Sequence, residues 1–190
     1  MEYKIGSGCG KEVTIPKEIN GVLVKSISKD IFAKPGNEII SISIPDSLIH
    51  IENGAFRWNH IESIEIDKNN KSFKVENNAL LSINHKRLIK IIGEHNAYSI
   101  PNQIEFLDTG ALSYNQLESI IIPKSVGVIG EMAFMNNKLK SIVITENVKS
   151  IGKGAFTNNQ IISIMIEGDS LRFNDDWDLI NFPKELKSTE

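Results

Sequence analysis

The sequence predicts a mainly β protein with little helix, folded as a solenoid of stacked coils. Two features of the 190-residue sequence support this prediction. Isoleucine outnumbers leucine by more than two to one, and an excess of a β-branched residue favours strands. Landmark residues also recur 22 positions apart, as Ala111, Ala133 and Ala155 do, and a fixed period of this length is the signature of a repeat architecture.

Each coil contributes one short strand. The coil that starts at Ile122 has the sequence IPKSVGVIGEMAFMNNKLKSIVI, and its apolar positions recur in the next coil. Where one coil passes into the next, side chains alternate, so we expect Ile120 and Ile122 to point inward while Ser119 and Ile121 point outward. Such strands, stacked in register, predict a parallel sheet that runs the length of the molecule.

The second half of most coils carries an Ala-Phe pair, followed three residues later by an asparagine. The small Ala133 lets neighbouring coils approach and Phe134 fills the interior, whereas one coil has Leu112 in place of the phenylalanine. The asparagines occur where the chain turns back into the sheet, so we expect their amides to form a structural ladder that satisfies backbone groups of the turns. They are Asn59, Asn115, Asn137 and Asn159.

Two coils are longer than the period. Between Ile15 and Ile44 the extra residues fall around Asn20-Gly21 and Pro35-Gly36, where turn residues suit loop growth. Between Ile66 and Ile100 the surplus lies within 67–99, where short apolar alternations are joined by asparagine-containing turns. This pattern predicts a hairpin-like elaboration of one coil.

The two ends of the solenoid are predicted to be caps, because uncapped coils would expose apolar edges. Residues 1–15 form the N-terminal cap, in which residues 2–5 pair with residues 12–15 as a hairpin across a glycine-rich turn. About six coils fill 15–166, and 167–190 form a C-terminal cap and tail. We therefore expect 1–190 to be a single repeat domain. The large apolar residues of the C-terminal cap are Leu171, Phe173, Trp177, Leu179, Ile180 and Phe182.

Composition excludes several classes of protein. With 41% hydrophobic residues the chain is an ordinary globular protein and not a disordered one, and a net charge of −3 gives no basic excess for nucleic acid or a membrane surface. No apolar run approaches the roughly 20 residues of a membrane span, and residues 1–4 do not begin a signal peptide. The single cysteine, Cys9, excludes an internal disulfide framework.

The sequence contains no complete motif for catalysis or metal binding. The segment 6–11 lacks the glycine spacing of a phosphate loop, and Glu12 stands where that loop needs a hydroxyl. No histidine is placed beside Cys9, and the acidic segments 67–70 and 175–178 lack the spacing of a calcium loop. We therefore expect no catalytic residue, cofactor or metal site. The histidines, none at ligand spacing, are His50, His60, His85 and His95.

The outward residues of the predicted strands form the first candidate binding surface. They make a serine column and a second column that becomes apolar in the last three coils. Contiguous exposed apolar groups on a repeat sheet mark a binding face, and the alternative is simple β-propensity at solvent-exposed strand positions. The candidate partner-binding residues on these columns are Ser63, Glu65, Ser119, Ile121, Ser141, Val143, Ser163 and Met165.

Trp58 and Tyr114 form the second candidate surface. Both stand directly before a ladder asparagine, at equivalent positions of two coils. An aromatic side chain there is a candidate partner contact, since aromatic residues are enriched in interfaces. The alternative is that both rings pack against neighbouring loops.

The coil unit, IPxSVxxIGxxAFxxNxLxSIxI, resembles the leucine-rich repeat of the Treponema pallidum type, found in BspA-like bacterial surface proteins. The resemblance covers about 15–166 and is strongest from Ile100 onward. It implies a right-handed leucine-rich-repeat solenoid with a parallel sheet on the concave face, little helix, a hairpin-like N-terminal cap and an aromatic C-terminal cap.

The same resemblance implies a non-catalytic interaction or adhesion module of a bacterial surface or secreted protein, which binds a protein or glycan partner. Charge and hydropathy predict no nucleic acid partner and no membrane insertion. One alternative is a scaffold or spacer with no specific partner. The least favoured alternative is a small-ligand binder or enzyme that uses the expanded coil at 67–99. A cytoplasmic location stays an alternative because no signal peptide is expected.

Overall fold

A computed structural model describes residues 11–29, 31–32, 39–84 and 86–167. The described residues contain strands and turns but no helix, and they form a parallel β-solenoid of about six turns, as the repeat period predicts. Contacts divide the chain into two compact units, 1–93 (unit 1) and 94–190 (unit 2). The boundary falls inside the expanded coil at 67–99.

Unit 1 contains ten short strands among its described residues. Three of them form a parallel sheet in register, with Val13 opposite Ile42 and Ile42 opposite Ile64. The 22-residue period produces this register, because Ile42 and Ile64 are one period apart. The strands are β1 (Glu12–Thr14), β2 (Glu18–Ile19), β3 (Val22–Leu23), β4 (Ser26–Ile27), β5 (Ser41–Ile44), β6 (His50–Ile51), β7 (Ser63–Ile66), β8 (Phe73–Glu76), β9 (Ala79–Ser82) and β10 (Arg87–Ile91).

The first extra segment of unit 1 is a β-hairpin. Strands β2 and β3 pair antiparallel, with Glu18 opposite Leu23 and Ile19 opposite Val22. The two turn residues, Asn20 and Gly21, have φ angles of 52° and 76°. An Asn-Gly pair with both φ angles positive is the turn that matches the twist of two antiparallel strands, which explains why the coil grows here.

The expanded coil is an antiparallel arrangement of β8, β9 and β10. Asn77 and Asn78 form the turn between β8 and β9, with φ angles of 50° and 52°. Leu80 and Leu81 of β9 are buried. The predicted hairpin-like elaboration is therefore confirmed.

Unit 2 contains seven described strands. Strands from successive coils pair parallel in register, so that Ala97 lies opposite Ser119, Phe106 opposite Val128, and Val128 opposite Ser150. The strands are β11 (Ala97–Ser99), β12 (Phe106–Leu107), β13 (Ser119–Ile121), β14 (Val128–Ile129), β15 (Ser141–Ile144), β16 (Ser150–Ile151) and β17 (Ser163–Ile166).

The predicted parallel sheet is present in segments and is not continuous. In unit 2, β11 pairs with β13 and β15 pairs with β17, but β13 and β15 are not hydrogen-bonded neighbours. The two coils are still joined just before these strands, where the Lys138 amide donates to the Leu117 carbonyl at 2.9 Å. The prediction of an uninterrupted sheet is therefore wrong at this point, because repetition fixes the stacking of coils without fixing every hydrogen bond between strands.

The interior is filled by the residues that the repeat predicts. In unit 2, the Phe134 and Phe156 rings stack with centroids 5.2 Å apart and planes within 4° of parallel. Phe32 and Phe56 stack in the same way in unit 1, at 5.5 Å. Leu112, which replaces the phenylalanine in one coil, is fully buried.

Two glycines are required where adjacent coils of unit 2 pack closely. A Cβ atom on Gly130 would lie 2.6 Å from the Leu107 carbonyl oxygen, and one on Gly152 would lie 2.4 Å from the Glu131 nitrogen. Both distances are shorter than real Cβ contacts, so the coils of unit 2 pack at a separation that only glycine permits here.

Both predicted caps fall largely outside the described residues. The N-terminal hairpin needs residues 2–5, and the aromatic C-terminal cap lies within 168–190. The second arm of the predicted hairpin, Glu12–Thr14, is described, and it is the outer strand of the three-stranded sheet that pairs with Ser41–Ile44.

Candidate interaction surfaces

The ladder asparagines link coils through buried amide groups. The Asn137 Oδ1 atom accepts a hydrogen bond from the Leu117 amide at 3.1 Å. Its Nδ2 atom donates to the carbonyl oxygens of Leu112 and Phe134, each at 2.9 Å. The side chain therefore satisfies one backbone donor and two backbone acceptors in a buried turn, and this use of the amide is structural.

The same arrangement recurs in the other coils. Asn159 accepts from the Leu139 amide and donates to Phe134 and Phe156, and Asn59 accepts from Ile39. The predicted asparagine ladder is therefore confirmed. Asn115 accepts from the His95 amide and donates to the Ser113 carbonyl.

The strand face of unit 2 carries an exposed apolar column formed by Ile121, Val143 and Met165. Their exposed fractions are 78%, 40% and 61%. Val143 lies directly opposite Met165 in the β15–β17 pair, while the alternate residues Ile120 and Ile142 are buried. The expected inward and outward alternation is confirmed, and the column presents its apolar side chains to solvent.

Beside the apolar column runs the serine column of unit 2. Ser141 lies opposite Ser163, and Ser119 lies opposite Ala97; all three serines are exposed. Their small side chains leave the neighbouring apolar column accessible. Six of the predicted contact residues thus share one face of unit 2: Ser119, Ile121, Ser141, Val143, Ser163 and Met165.

The strand face of unit 1 is polar instead. The Ser63 Oγ atom donates to the Ser41 Oγ atom at 2.9 Å, and Ser43 lies opposite Glu65. The predicted contact residues Ser63 and Glu65 are exposed, but no described residue of this face matches the apolar column of unit 2. The two units therefore offer surfaces of different chemistry.

A shallow cleft lies at the carboxyl ends of β1, β5 and β7 in unit 1. Its volume is about 330 Å³, and Glu65 and Asp67 bring carboxylates to it. The nearby Lys17 ammonium is 2.9 Å from an Asp46 carboxylate oxygen. This hydrogen bond and the attraction of Asp46 raise the pKa of Lys17. The cleft is open and has no buried reactive group.

An exposed ion pair joins the equivalent turns in unit 2, between Lys124 and Glu146 at 3.1 Å. The hydrogen bond to Glu146 and its negative charge raise the pKa of Lys124. Lys17 and Lys124 each follow the proline after a strand, and each pairs with an acidic residue of the next coil. Their common role is to link adjacent coils, although exposed pairs of this kind contribute little stability.

Trp58 and Tyr114 adopt an unusual backbone conformation that sequence reasoning missed. Their φ angles are 67° and 59°, in the left-handed region, and their side chains are 36% and 39% exposed. Trp58 lies in unit 1 and Tyr114 in unit 2. At the equivalent position, the two following coils have Asn136 and Asn158, both with φ of 57°. The sequence signal for this conformation was therefore the alignment of Trp58 and Tyr114 with asparagines, which tolerate a positive φ.

Lys90 is a buried lysine that the alternation pattern did not predict. A β-bulge between Leu88 and Lys90 shifts the register of β10, so that Leu88, Ile89, Lys90 and Ile91 are all buried. Burial lowers the pKa of Lys90 to about 7, because desolvation disfavours the ammonium form. Among the described residues of the expanded coil, Lys90 is therefore one whose pKa is strongly shifted.

The described residues contain no cluster of three or more His, Cys, Asp or Glu side chains that could hold a metal ion. They also contain no helix long and apolar enough to span a bilayer. Cys9, His85 and the glycine-rich segment 6–10 lie outside the described residues.

Comparison with known proteins identifies the repeat. The family model described as a BspA type leucine rich repeat region, with six copies, matches residues 5–98 and 93–177. No curated protein is significantly similar to the chain in sequence.

Several solved structures resemble the chain, among them a leucine-rich repeat protein and an antigen of bacteria. A leucine-rich repeat protein from Eubacterium ventriosum ATCC 27560 is 25% identical, with a TM-score of 0.69 over 82% of this chain and 41% of that protein. The pneumococcal vaccine antigen PcpA is 21% identical, with a TM-score of 0.63 over 79% of this chain and 44% of that antigen, a likeness that shows the fold alone. The chain thus spans less than half the length of either protein. Since the family model matches most of the sequence, the chain belongs to the BspA-type leucine-rich repeat family.

Proposed function

We propose that this chain is a non-catalytic interaction module that binds a protein partner through the apolar column of unit 2. The observation that carries this proposal is the exposure of Ile121, Val143 and Met165 on one strand face. The binding free energy of an interface is concentrated in a few apolar or aromatic contacts. The column supplies three such side chains on a sheet, so binding does not carry the entropy cost of ordering a loop.

The proposed location is the bacterial cell surface or the secreted fraction. The support is the family itself, since the likeness to the pneumococcal vaccine antigen shows the fold alone. Because the chain covers less than half of that antigen, its partner and its location are proposals for this chain.

A scaffold without a partner is the second candidate, and the distribution of polar contacts favours it. The asparagine ladder and the Lys124–Glu146 ion pair are used to join coils, which is what a spacer needs. A spacer does not need an exposed apolar column, however, and this difference separates the two candidates.

The proposal is tested with the triple variant Ile121→Thr, Val143→Thr, Met165→Thr. A protein captured by the wild-type chain from an extracellular protein mixture is first purified, and its Kd is then measured by calorimetry for each variant. We expect the triple variant to lose about 2 kcal/mol of binding free energy or more, roughly thirtyfold in affinity.

The matched control is Ile49→Thr, Val75→Thr, Ile83→Thr. These residues are also exposed and apolar, but they lie in unit 1. The control variant should bind like the wild type. Equal affinity of the wild type and the column variant would reject the column as the binding face, and a chain that captures no protein would favour the spacer.

A further inference from the structure

The residue before each ladder asparagine has a left-handed backbone in four coils. Asparagine tolerates this conformation because its short polar side chain can hydrogen-bond locally, and Asn136 and Asn158 follow this rule. Trp58 and Tyr114 do not, since a bulky aromatic residue at positive φ costs stability. Residues held in such conformations cluster at functional sites, where stability is given up for a role in binding.

Three of these positions form one continuous row in unit 2, which we name the turn row: Tyr114, Asn136 and Asn158. The Tyr114 amide donates to the Met135 carbonyl, and the Asn136 amide donates to the Thr157 carbonyl, each at 2.9 Å. These bonds place the three residues in adjacent coils, so their Cα atoms follow one another at a spacing of about 4.8 Å. The row therefore begins with an aromatic ring and continues with two amides.

The two amides of the turn row have hydrogen-bonding capacity for a ligand. Asn158 Nδ2 donates to Asn136 Oδ1 at 2.8 Å, which orients both groups. The described residues provide no hydrogen-bond acceptor for Asn136 Nδ2 and no donor for Asn158 Oδ1. A ligand along the row would meet N–H donors at one coil and a carbonyl acceptor at the next.

We propose that the turn row binds a neutral glycan. In this arrangement the Tyr114 ring stacks on the C–H face of one sugar, while Asn136 donates to and Asn158 accepts from hydroxyl groups of the next sugars. Sugar hydroxyls both donate and accept, so they match a row that presents both functions. The row has no charged member, which favours a neutral sugar over an anionic one. This surface is distinct from the apolar column.

The test uses hexasaccharides of glucose, N-acetylglucosamine, galactose and mannose as probes. Binding to the whole chain is measured by calorimetry, and Tm by differential scanning calorimetry. Tyr114→Asn, which installs the residue of the neighbouring coils, should lower the affinity for the bound hexasaccharide about tenfold while Tm changes by less than about 4 °C. Tyr114→Phe keeps the ring and should bind like the wild type.

The matched control is Met132→Gly. Met132 also has a positive φ, 53°, at a position where three other coils have glycine, but it is outside the turn row. The Met132→Gly substitution should leave the affinity for the hexasaccharide unchanged. The column variant Ile121→Thr, Val143→Thr, Met165→Thr should also bind the hexasaccharide normally, so failure of the glycan proposal and failure of the proposed protein contact can be told apart.

Four outcomes would overturn the glycan proposal. The first is no binding of any hexasaccharide by the wild type at millimolar concentration. The second is unchanged affinity of Tyr114→Asn, and the third is a fall in Tm of more than about 4 °C, which would make the Tyr114 ring a packing residue. If Tyr114→Asn loses a protein partner and no sugar, the row is a protein contact and the glycan assignment is wrong.

Discussion

The Asn137 side-chain amide lies 2.9 Å from the carbonyl oxygen of Leu112, a residue 25 positions earlier in the preceding coil. The same amide also bonds to the Phe134 carbonyl of its own coil. One buried side chain thus joins the backbones of two coils. In a stack of repeats, such contacts between neighbours determine how cooperatively the coils unfold.

Asn137→Ala should lower the free energy of unfolding by about 1–3 kcal/mol. The substitution leaves the Leu117 amide and the Leu112 carbonyl oxygen without their side-chain partner in a buried turn, while the Phe134 carbonyl keeps its bond from Asn159. Urea unfolding followed by circular dichroism measures the change. Asn147→Ala is the control, since Asn147 makes its hydrogen bond to the Lys124 carbonyl on the surface, and it should change stability by less than about 0.5 kcal/mol. Equal effects of both substitutions would contradict a buried ladder.

Gly152→Ala should destabilise the protein by about 2–3 kcal/mol. The new methyl group would meet the Glu131 backbone at 2.4 Å, and because backbone cannot move aside cheaply, the two coils must separate. Gly127→Ala is the matched control in the same unit, because its Cβ would meet the Asn147 carbonyl oxygen at an ordinary 3.6 Å. The two variants are compared by thermal unfolding. A Gly152→Ala protein as stable as Gly127→Ala would show that the coils are not packed this closely.

Stability should rise with pH above about 7 because of Lys90. The pKa of Lys90 is about 7 in the folded protein and 10.5 ordinarily, so between these values the unfolded chain holds a proton that the folded chain has released. Stability therefore increases with pH in this window, by at most about 1.4 kcal/mol per pH unit, and Lys90 adds no slope below pH 7, where both states are protonated.

The variant Lys90→Met isolates this effect. It should be more stable than the wild type at pH 7 and should lose the rise in stability between pH 7 and pH 9.5, both followed by urea unfolding. Lys140→Met, at an exposed position, should keep the wild-type pH profile. If wild type and Lys90→Met show the same slope, the Lys90 ammonium is not desolvated in the folded state.

The sequence was sufficient to predict the residues that every coil shares. Phe134 and Phe156 stack, and Asn137 and Asn159 bridge coils, because a 22-residue period places identical side chains at identical points of each turn. Periodicity also predicted that Ile121 would be exposed.

Features that break the period could not be predicted in this way. The bulge beside Lys90 changes which face a residue occupies, and a one-residue shift leaves no trace in composition. The left-handed backbone at Trp58 and Tyr114 contradicts the preference of aromatic residues, so local propensity pointed away from it. Both features lie at positions where one coil differs in sequence or backbone from the repeat. Positions that break a local rule in this way are expected to be functional or strained sites.

Methyl NMR of the complex tests the central claim most directly. The chain is labelled at isoleucine and methionine methyl groups, and the purified protein partner is added. The proposed binding face predicts that the methyl signals of Ile121 and Met165 shift or broaden, while those of Ile49 and Ile83 stay in place. Unchanged Ile121 and Met165 signals in a saturated complex would contradict the claim that the apolar column of unit 2 is the binding surface.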